Sequence, residues 1–170
     1  MNTDPVVILT AVAAIGSAAV GGLFYAFSSF VMRGLDRTGP VDAITAMRGI
    51  NAEAQANAPF LAFFFGSALL AIAVGVVALT RMSRAGSGFL VAGAVFGVLA
   101  VIVTVAFNLP LNNHLDGVNP VGLTAADAAR EWQAYFSTWT AWNHVRTATG
   151  FVGAALMLIG LAVGAQHTSG

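Results

Sequence analysis

The residues equipped for chemistry gather between Asn108 and Arg146. The run Asn-Leu-Pro-Leu-Asn-Asn-His-Leu occupies 108–115, and Glu-Trp-Gln-Ala-Tyr-Phe-Ser-Thr-Trp-Thr-Ala-Trp-Asn-His-Val-Arg occupies 131–146. At helical spacing, Trp132, Phe136, Trp139, Asn143, Arg146 and Gly150 fall within roughly 40° either side of one line. An amide and a guanidinium on an aromatic stripe can hold an oxyanion or a carbonyl in a low-dielectric pocket. Asn51, Asn108 and Asn112 join that pocket if the helices close on the same side.

Each of these residues also has a plainer reading. Arg146 lies a few residues inside an apolar segment, where a charge is costly unless it reaches out to headgroups or is paired. An Asn–Arg network can equally be glue between helices. His114 follows Pro110 and has the ordinary pKa range of a base, but fits a polar loop as well. His144 sits roughly 100° off the stripe, which suits packing or an interface better than catalysis. Arg48 on an amphipathic connector contacts lipid phosphate or enters the site. Tyr25 is an interfacial anchor or a site residue. A metal needs three or four ligands; His114, His144, Asp116 and Glu53 have no recognised ligand spacing, so no metal is expected.

These residues stand in a chain that must use lipid as its solvent. Of 170 residues, 58% are hydrophobic and 8% charged, against about 25% charged in soluble domains. Mean hydropathy is +0.82. Net charge is zero, and every basic side chain is arginine, so nothing points to nucleic acid. The absence of cysteine excludes disulfides, iron–sulfur clusters, thiolate-bound haem and thiol redox chemistry. No apolar segment contains an acidic residue, which disfavours a proton-coupled transporter.

The elements follow from hydropathy and breakers. Four spans are expected at about 6–32, 59–80, 89–109 and 139–165, in a single domain over 1–170. Asp4 in place of a basic start, and the length of the first apolar run, argue against a cleaved signal peptide. Ser17, Gly21, Phe24 and Ser28 share a face suited to close helix packing. Gly39-Pro40 opens an amphipathic connector helix carrying Ile44, Met47, Arg48, Asn51 and Gln55 on one side. Pro110 is expected to stop the third span. Thr124-Ala-Ala-Asp127 reads as a helix start. Helical character from there to Ala165 implies roughly 60 Å, about twice the hydrocarbon thickness, so the first part kinks or stands outside. The fold class is therefore an all-α integral membrane four-helix bundle with amphipathic connector helices. Each hairpin reads span–connector–span, hinting at a two-fold internal repeat. Arg81 and Arg84 in a compact loop suggest termini on the cytoplasmic side of a bacterial cytoplasmic membrane, although Arg33, Arg37, Arg48 and Arg130 lie opposite.

The blocks Gly22-Leu-Phe-Tyr-Ala-Phe-Ser-Ser-Phe30, Met47-Arg-Gly-Ile-Asn51, Asn108-Leu-Pro-Leu-Asn112 and Trp139-Thr-Ala-Trp-Asn-His-Val-Arg146-Thr resemble the anthrone oxygenase family of small four-span membrane proteins. That resemblance implies oxidation of a polycyclic anthrone to an anthraquinone by dioxygen, with no cofactor. An anthrone is acidic at the carbon opposite its carbonyl, and its carbanion can itself reduce dioxygen. On that chemistry Arg146 and Asn143 would hold the oxyanion, Trp139 and Trp142 would stack on the rings, and His114 would be the base. Asn108, Asn112, Asn51, Arg48 and Tyr25 would complete the binding surface. The expected partners are the bilayer, a small aromatic lipophile with dioxygen, and a further copy of the chain in a homo-oligomer. The alternative is a non-catalytic membrane protein that binds a small lipophile or a partner protein through the same face.

Overall fold

Small side chains decide how this chain packs. The computed structural model describes residues 4–168, and within them the buried face of the first helix is Thr10, Ala13, Ala14, Gly16, Ser17, Val20, Gly21 and Phe24. Ile8, Ile15, Leu69, Val76, Ile102 and Leu158 instead point outward and are more than half exposed. Bulky residues outside and small ones inside is the pattern of helices that associate in lipid, where close backbone approach replaces the hydrophobic drive.

Five helices result: α1 (Pro5–Asp36), α2 (Pro40–Ala56), α3 (Ala58–Leu79), α4 (Ser87–Asp116) and α5 (Ala125–Thr168). No strand occurs among the described residues. All but α2 are long and apolar enough to cross a membrane, so the protein is an all-α, multi-pass membrane bundle. Around the bundle, α1 packs on α3 and α5, and α4 packs on α3 and α5. Local signals set the starts. The Asp4 carboxylate accepts from Val6 N, and Asn57 Oδ1 accepts from Phe60 N. Thr124 Oγ1 accepts from Asp127 N and donates to Asp127 Oδ2. Each satisfies a donor that a helix start would leave bare.

Two expectations are corrected. Pro110 does not end the helix of the third span; α4 continues to Asp116. Proline lacks the N–H and its ring crowds the carbonyl four residues back. Immediately before it, Thr104–Asn108 is wound as a π-turn, whose longer ladder loosens the helix where the proline would otherwise break it. The first helix likewise passes Met32 and ends at Asp36, with its own π-turn at Phe27–Val31. The first span of each hairpin thus carries a π-turn shortly before its connector. α5 is continuously helical over 44 residues, so of the two ways to accommodate its length, no break in the hydrogen-bond ladder is used.

Three apolar clusters stack along the bundle. Nearest the termini are Ala13, Ala14, Ala71, Val74 and Met157. Val20, Phe24, Phe64 and Ala100 follow. On the connector side, Met32, Ala43, Ile44, Met47, Leu115, Trp132, Tyr135 and Trp139 form the third. That last cluster exists because α2 and the end of α4 fold against the first turns of α5. The indole of Trp132 donates to Asp36 Oδ1 at 2.7 Å, tying the end of α1 to it.

Candidate functional site

Between the second and third clusters lies a charge. The Arg146 side chain turns inward and is 4% exposed. Its guanidinium carbon sits 4.0 Å from the Phe24 ring centroid and 5.0 Å from that of Trp139. Nη2 donates to Asn143 Oδ1 at 2.5 Å, and Nη1 donates to Thr104 Oγ1 at 3.3 Å. Nε is buried with no hydrogen-bond partner. No carboxylate lies within ion-pair distance among the described residues, where the ion pairs are His114–Glu131 and Arg130–Asp127. The charge is therefore solvated by an amide, a hydroxyl and two ring faces. It is drawn toward the shared interior and does not snorkel.

Asn143 is wholly buried and ties α5 to α1. Its Nδ2 donates to the Phe24 carbonyl and to Ser28 Oγ, both at 2.6 Å, while its oxygen serves Arg146. The π-turn of α1 begins beyond Phe24 and contains Ser28. The π-turn of α4 contains Thr104 and Asn108. Both unusual turns therefore supply polar atoms to the same level of the bundle, in keeping with the frequent placement of such turns at functional sites.

A second polar centre lies on the connector side. Asn112 Oδ1 accepts from the Tyr135 hydroxyl at 2.9 Å and from Trp139 Nε1 at 2.8 Å. Asn108 Nδ2 donates to the Trp139 carbonyl at 3.2 Å, but its Oδ1 is buried and unpartnered. Asn51 is buried beside Tyr135, with its amide facing the phenol. Asp116 acts on the same tyrosine and keeps one buried oxygen free. Buried polar atoms normally find partners. Here Arg146 Nε, Asn108 Oδ1 and Asp116 Oδ1 are buried without a close hydrogen-bond partner, spread along the bundle from the Thr104 level to the end of α4.

The structure thus brings together Arg146, Asn143, Trp139, Asn108, Asn112 and Asn51. It does not bring the rest. His114 is exposed and hydrogen-bonds Glu131 at 3.0 Å. Glu131 precedes Arg146 by fifteen residues of α5, about 22 Å of helix rise. His114 therefore stands apart from the Arg146 backbone, at the connector end of α5. Trp142 stacks on Phe107 with centroids 3.5 Å apart and planes 7° apart, at the bundle's outer side. Tyr25 is 58% exposed and faces outward. Arg48 is half-buried on α2.

Sequence reading passed over Tyr135, Thr104 and, as more than packing, Ser28. Tyr135 was legible: it lies four residues before Trp139, and the stripe's buried edge runs Trp132, Tyr135, Trp139, with Phe136 only partly buried. Thr104 and Ser28 depend on π-turns that no residue pattern announces. Three or more His, Cys, Asp or Glu side chains arranged for a metal do not occur among the described residues.

Space at this level is small. One turn toward the termini from Arg146, a cavity of about 10 Å³ is lined by Val20, Phe64, Ala100, Val101 and Gly150, at the lower limit for one water. A larger cleft of about 850 Å³ opens at the termini end of the bundle.

Neither the curated proteins nor the solved structures contain a match to this chain. A family profile does match, that of anthrone oxygenase, over residues 57–156, which is 100 of the 170 residues. The matched segment runs from the start of α3 into the last third of α5 and contains Asn108, Asn112, Trp139, Trp142, Asn143 and Arg146. With more than half its length covered, the chain belongs to the anthrone oxygenase family.

Proposed function

We propose that the protein is an oxygenase in which Arg146 receives the oxyanion of a lipophilic phenolic or anthrone-type substrate while dioxygen attacks a ring carbon. The supporting observation is the buried guanidinium without a carboxylate partner. Withdrawing an unpaired ion from water is expensive, and a developing enolate is the counter-ion that removes that cost. Nε and a remaining Nη hydrogen form a fork suited to an oxygen anion. Asn143 fixes the fork's orientation.

For an anthrone the balance is simple. The methylene carbon loses a proton, its carbanion reduces dioxygen, and a carbon–oxygen bond forms as a peroxide. Loss of the second hydrogen with cleavage of the oxygen–oxygen bond releases water and leaves a quinone carbonyl. No cofactor is needed, because the substrate carbanion is the reductant. Neutralising the oxyanion lowers the barrier to the first proton loss. In this reading the proton leaves toward the connector side by way of Tyr135, and the Asp116 carboxylate beside it is the group that accepts it. Phe60 and Phe64 stack on each other, and Phe64 meets Phe24 edge-on between α1 and α3, so in this reading an apolar substrate enters by parting α1 from α3 at these rings. The setting is the bacterial cytoplasmic membrane, with the α3–α4 loop on the cytoplasmic face.

Oxygen uptake with a simple anthrone tests this reading. Wild type in detergent should exceed the buffer blank, and Arg146→Met should fall to it while remaining folded. Wild-type uptake equal to the blank removes the proposal for that substrate. The second reading is a lipophile-binding protein without catalysis, for which the polar atoms around Arg146 are the binding surface. It predicts anthrone binding with no uptake.

A further inference from the structure

We propose that the cleft at the termini end of the bundle is a binding site for one anionic phospholipid. Its phosphate rests on Arg81 and Arg84, and an acyl chain lies among the apolar walls. The inference is independent of the chemistry at Arg146. Gly160, on the cleft wall, is fourteen residues farther along α5 than Arg146, about 21 Å of helix rise.

The cleft is open to the surface on one side and measures about 850 Å³, within the range of about 300–1,000 Å³ typical of ligand sites. All four spans contribute walls, including Val7, Val77, Leu90 and Leu161. Gly160 lets Leu90 and the Gly86 carbonyl pack directly on α5, since a Cβ there would stand 2.6 Å from Leu90 Cδ2 and 3.0 Å from the Gly86 oxygen. At the rim, Gly86 adopts φ +86, and a Cβ there would stand 2.2 Å from the Gly160 carbonyl oxygen. Only glycine allows the loop to seat on α5 in this way, and that seating sets Arg81, Arg84 and Ala85 along the cleft.

The charges are mismatched in favour of an anion. Neither Arg81 nor Arg84 is in an ion pair among the described residues, whose two ion pairs lie at the connector end. The one carboxylate on the rim, Asp4, is occupied in capping α1 through Val6 N. His167, the remaining titratable side chain, contacts the Val163 carbonyl through its ring nitrogen at 3.0 Å. Two arginines above an apolar cavity at the end of a membrane bundle match a phosphate joined to a hydrocarbon chain, and basic pockets between spans recognise anionic headgroups. A soluble anion would leave the apolar walls unfilled. A neutral ring system would leave the arginines unmatched.

The test measures the thermal midpoint of the full chain in a neutral detergent with added phosphatidylglycerol, phosphatidylcholine or inorganic phosphate. Phosphatidylglycerol should raise the midpoint by several degrees, because a ligand binding only the native state stabilises it. The other two should not. The double variant Arg81→Gln, Arg84→Gln should lose the rise. Ala162→Phe, which fills the cleft from an exposed position on its wall, should lose it too although both arginines remain. Equal rises with phosphatidylcholine or with phosphate overturn the proposal. So does a rise that survives either variant. Oxygen uptake should be unchanged in the double variant, which keeps this outcome separate from the oxygenase reading.

Discussion

At the scale of single residues, the question is whether Arg146 serves function or merely joins helices. The two roles predict opposite stabilities. A buried charge that exists only as glue should be missed when removed. One held for a substrate anion should not, since replacing a buried ion that has no counter-ion by an apolar side chain of similar size is often neutral or stabilising. Arg146→Met should therefore hold or raise the thermal midpoint while abolishing turnover; a large fall would assign the guanidinium to structure. Asn143→Ala should behave differently. It strips a hydrogen bond from the charge and leaves the Ser28 hydroxyl and Phe24 carbonyl without it. That should cost about 2–3 kcal/mol, or on the order of 5–10 °C in midpoint. His144→Ala, one residue away but on the exposed side, is the control and should shift neither stability nor uptake. If His144→Ala and Asn143→Ala move the midpoint equally, the buried network has no special energetic role.

At the scale of elements, the site depends on how closely α1 and α5 approach. A Cβ at Gly150 would lie 2.7 Å from Gly21 Cα and 2.9 Å from the Ser17 carbonyl oxygen. That backbone contact is one turn below Arg146, and it sets the distance over which Asn143 reaches Phe24 and Ser28. Gly150→Leu should force the helices apart, costing roughly 1–3 kcal/mol, and should lower turnover, which Arg81 and Arg84 variants should not. An unchanged midpoint in Gly150→Leu would show that the contact is not constraining. Much of this was readable from residue types. The Trp139, Asn143, Arg146 and Gly150 spacing identifies the inward face of α5, and Ser17, Gly21, Phe24 and Ser28 identify its partner on α1. The helix starts at Asn57 and Thr124 follow capping chemistry. What escaped was long-range or geometric. A proline reads as a stop, and only the π-turn before Pro110 explains why α4 passes through it. His114 looked available because nothing in its neighbourhood names Glu131, seventeen residues on, as its partner.

At the scale of the whole molecule, the arrangement makes a claim about sidedness. Four spans in alternating direction place the α3–α4 loop at one end of the bundle and both connectors at the other. The two polar features then belong to opposite ends: the Asn112–Tyr135 network opens toward the connectors, and the cleft flanked by Arg81 and Arg84 opens toward the termini. A proton leaving by way of Tyr135 and a lipid phosphate held by the loop would accordingly face different compartments. The natural chain has no cysteine, so single-cysteine labelling needs no background removed. Ser83 is exposed in the loop, Thr45 is exposed on α2, and Val121 is 84% exposed before α5. With an impermeant maleimide on sealed vesicles of one orientation, Thr45→Cys and Val121→Cys should label from one side, and Ser83→Cys from the other. In bacterial spheroplasts Ser83→Cys should stay protected until the membrane is opened, because the compact arginine-bearing loop favours the cytoplasm. Labelling of all three from one side would mean that at least one of the four helices does not cross. The opposed directions of the two polar features would then have to be abandoned, even with the network around Arg146 intact.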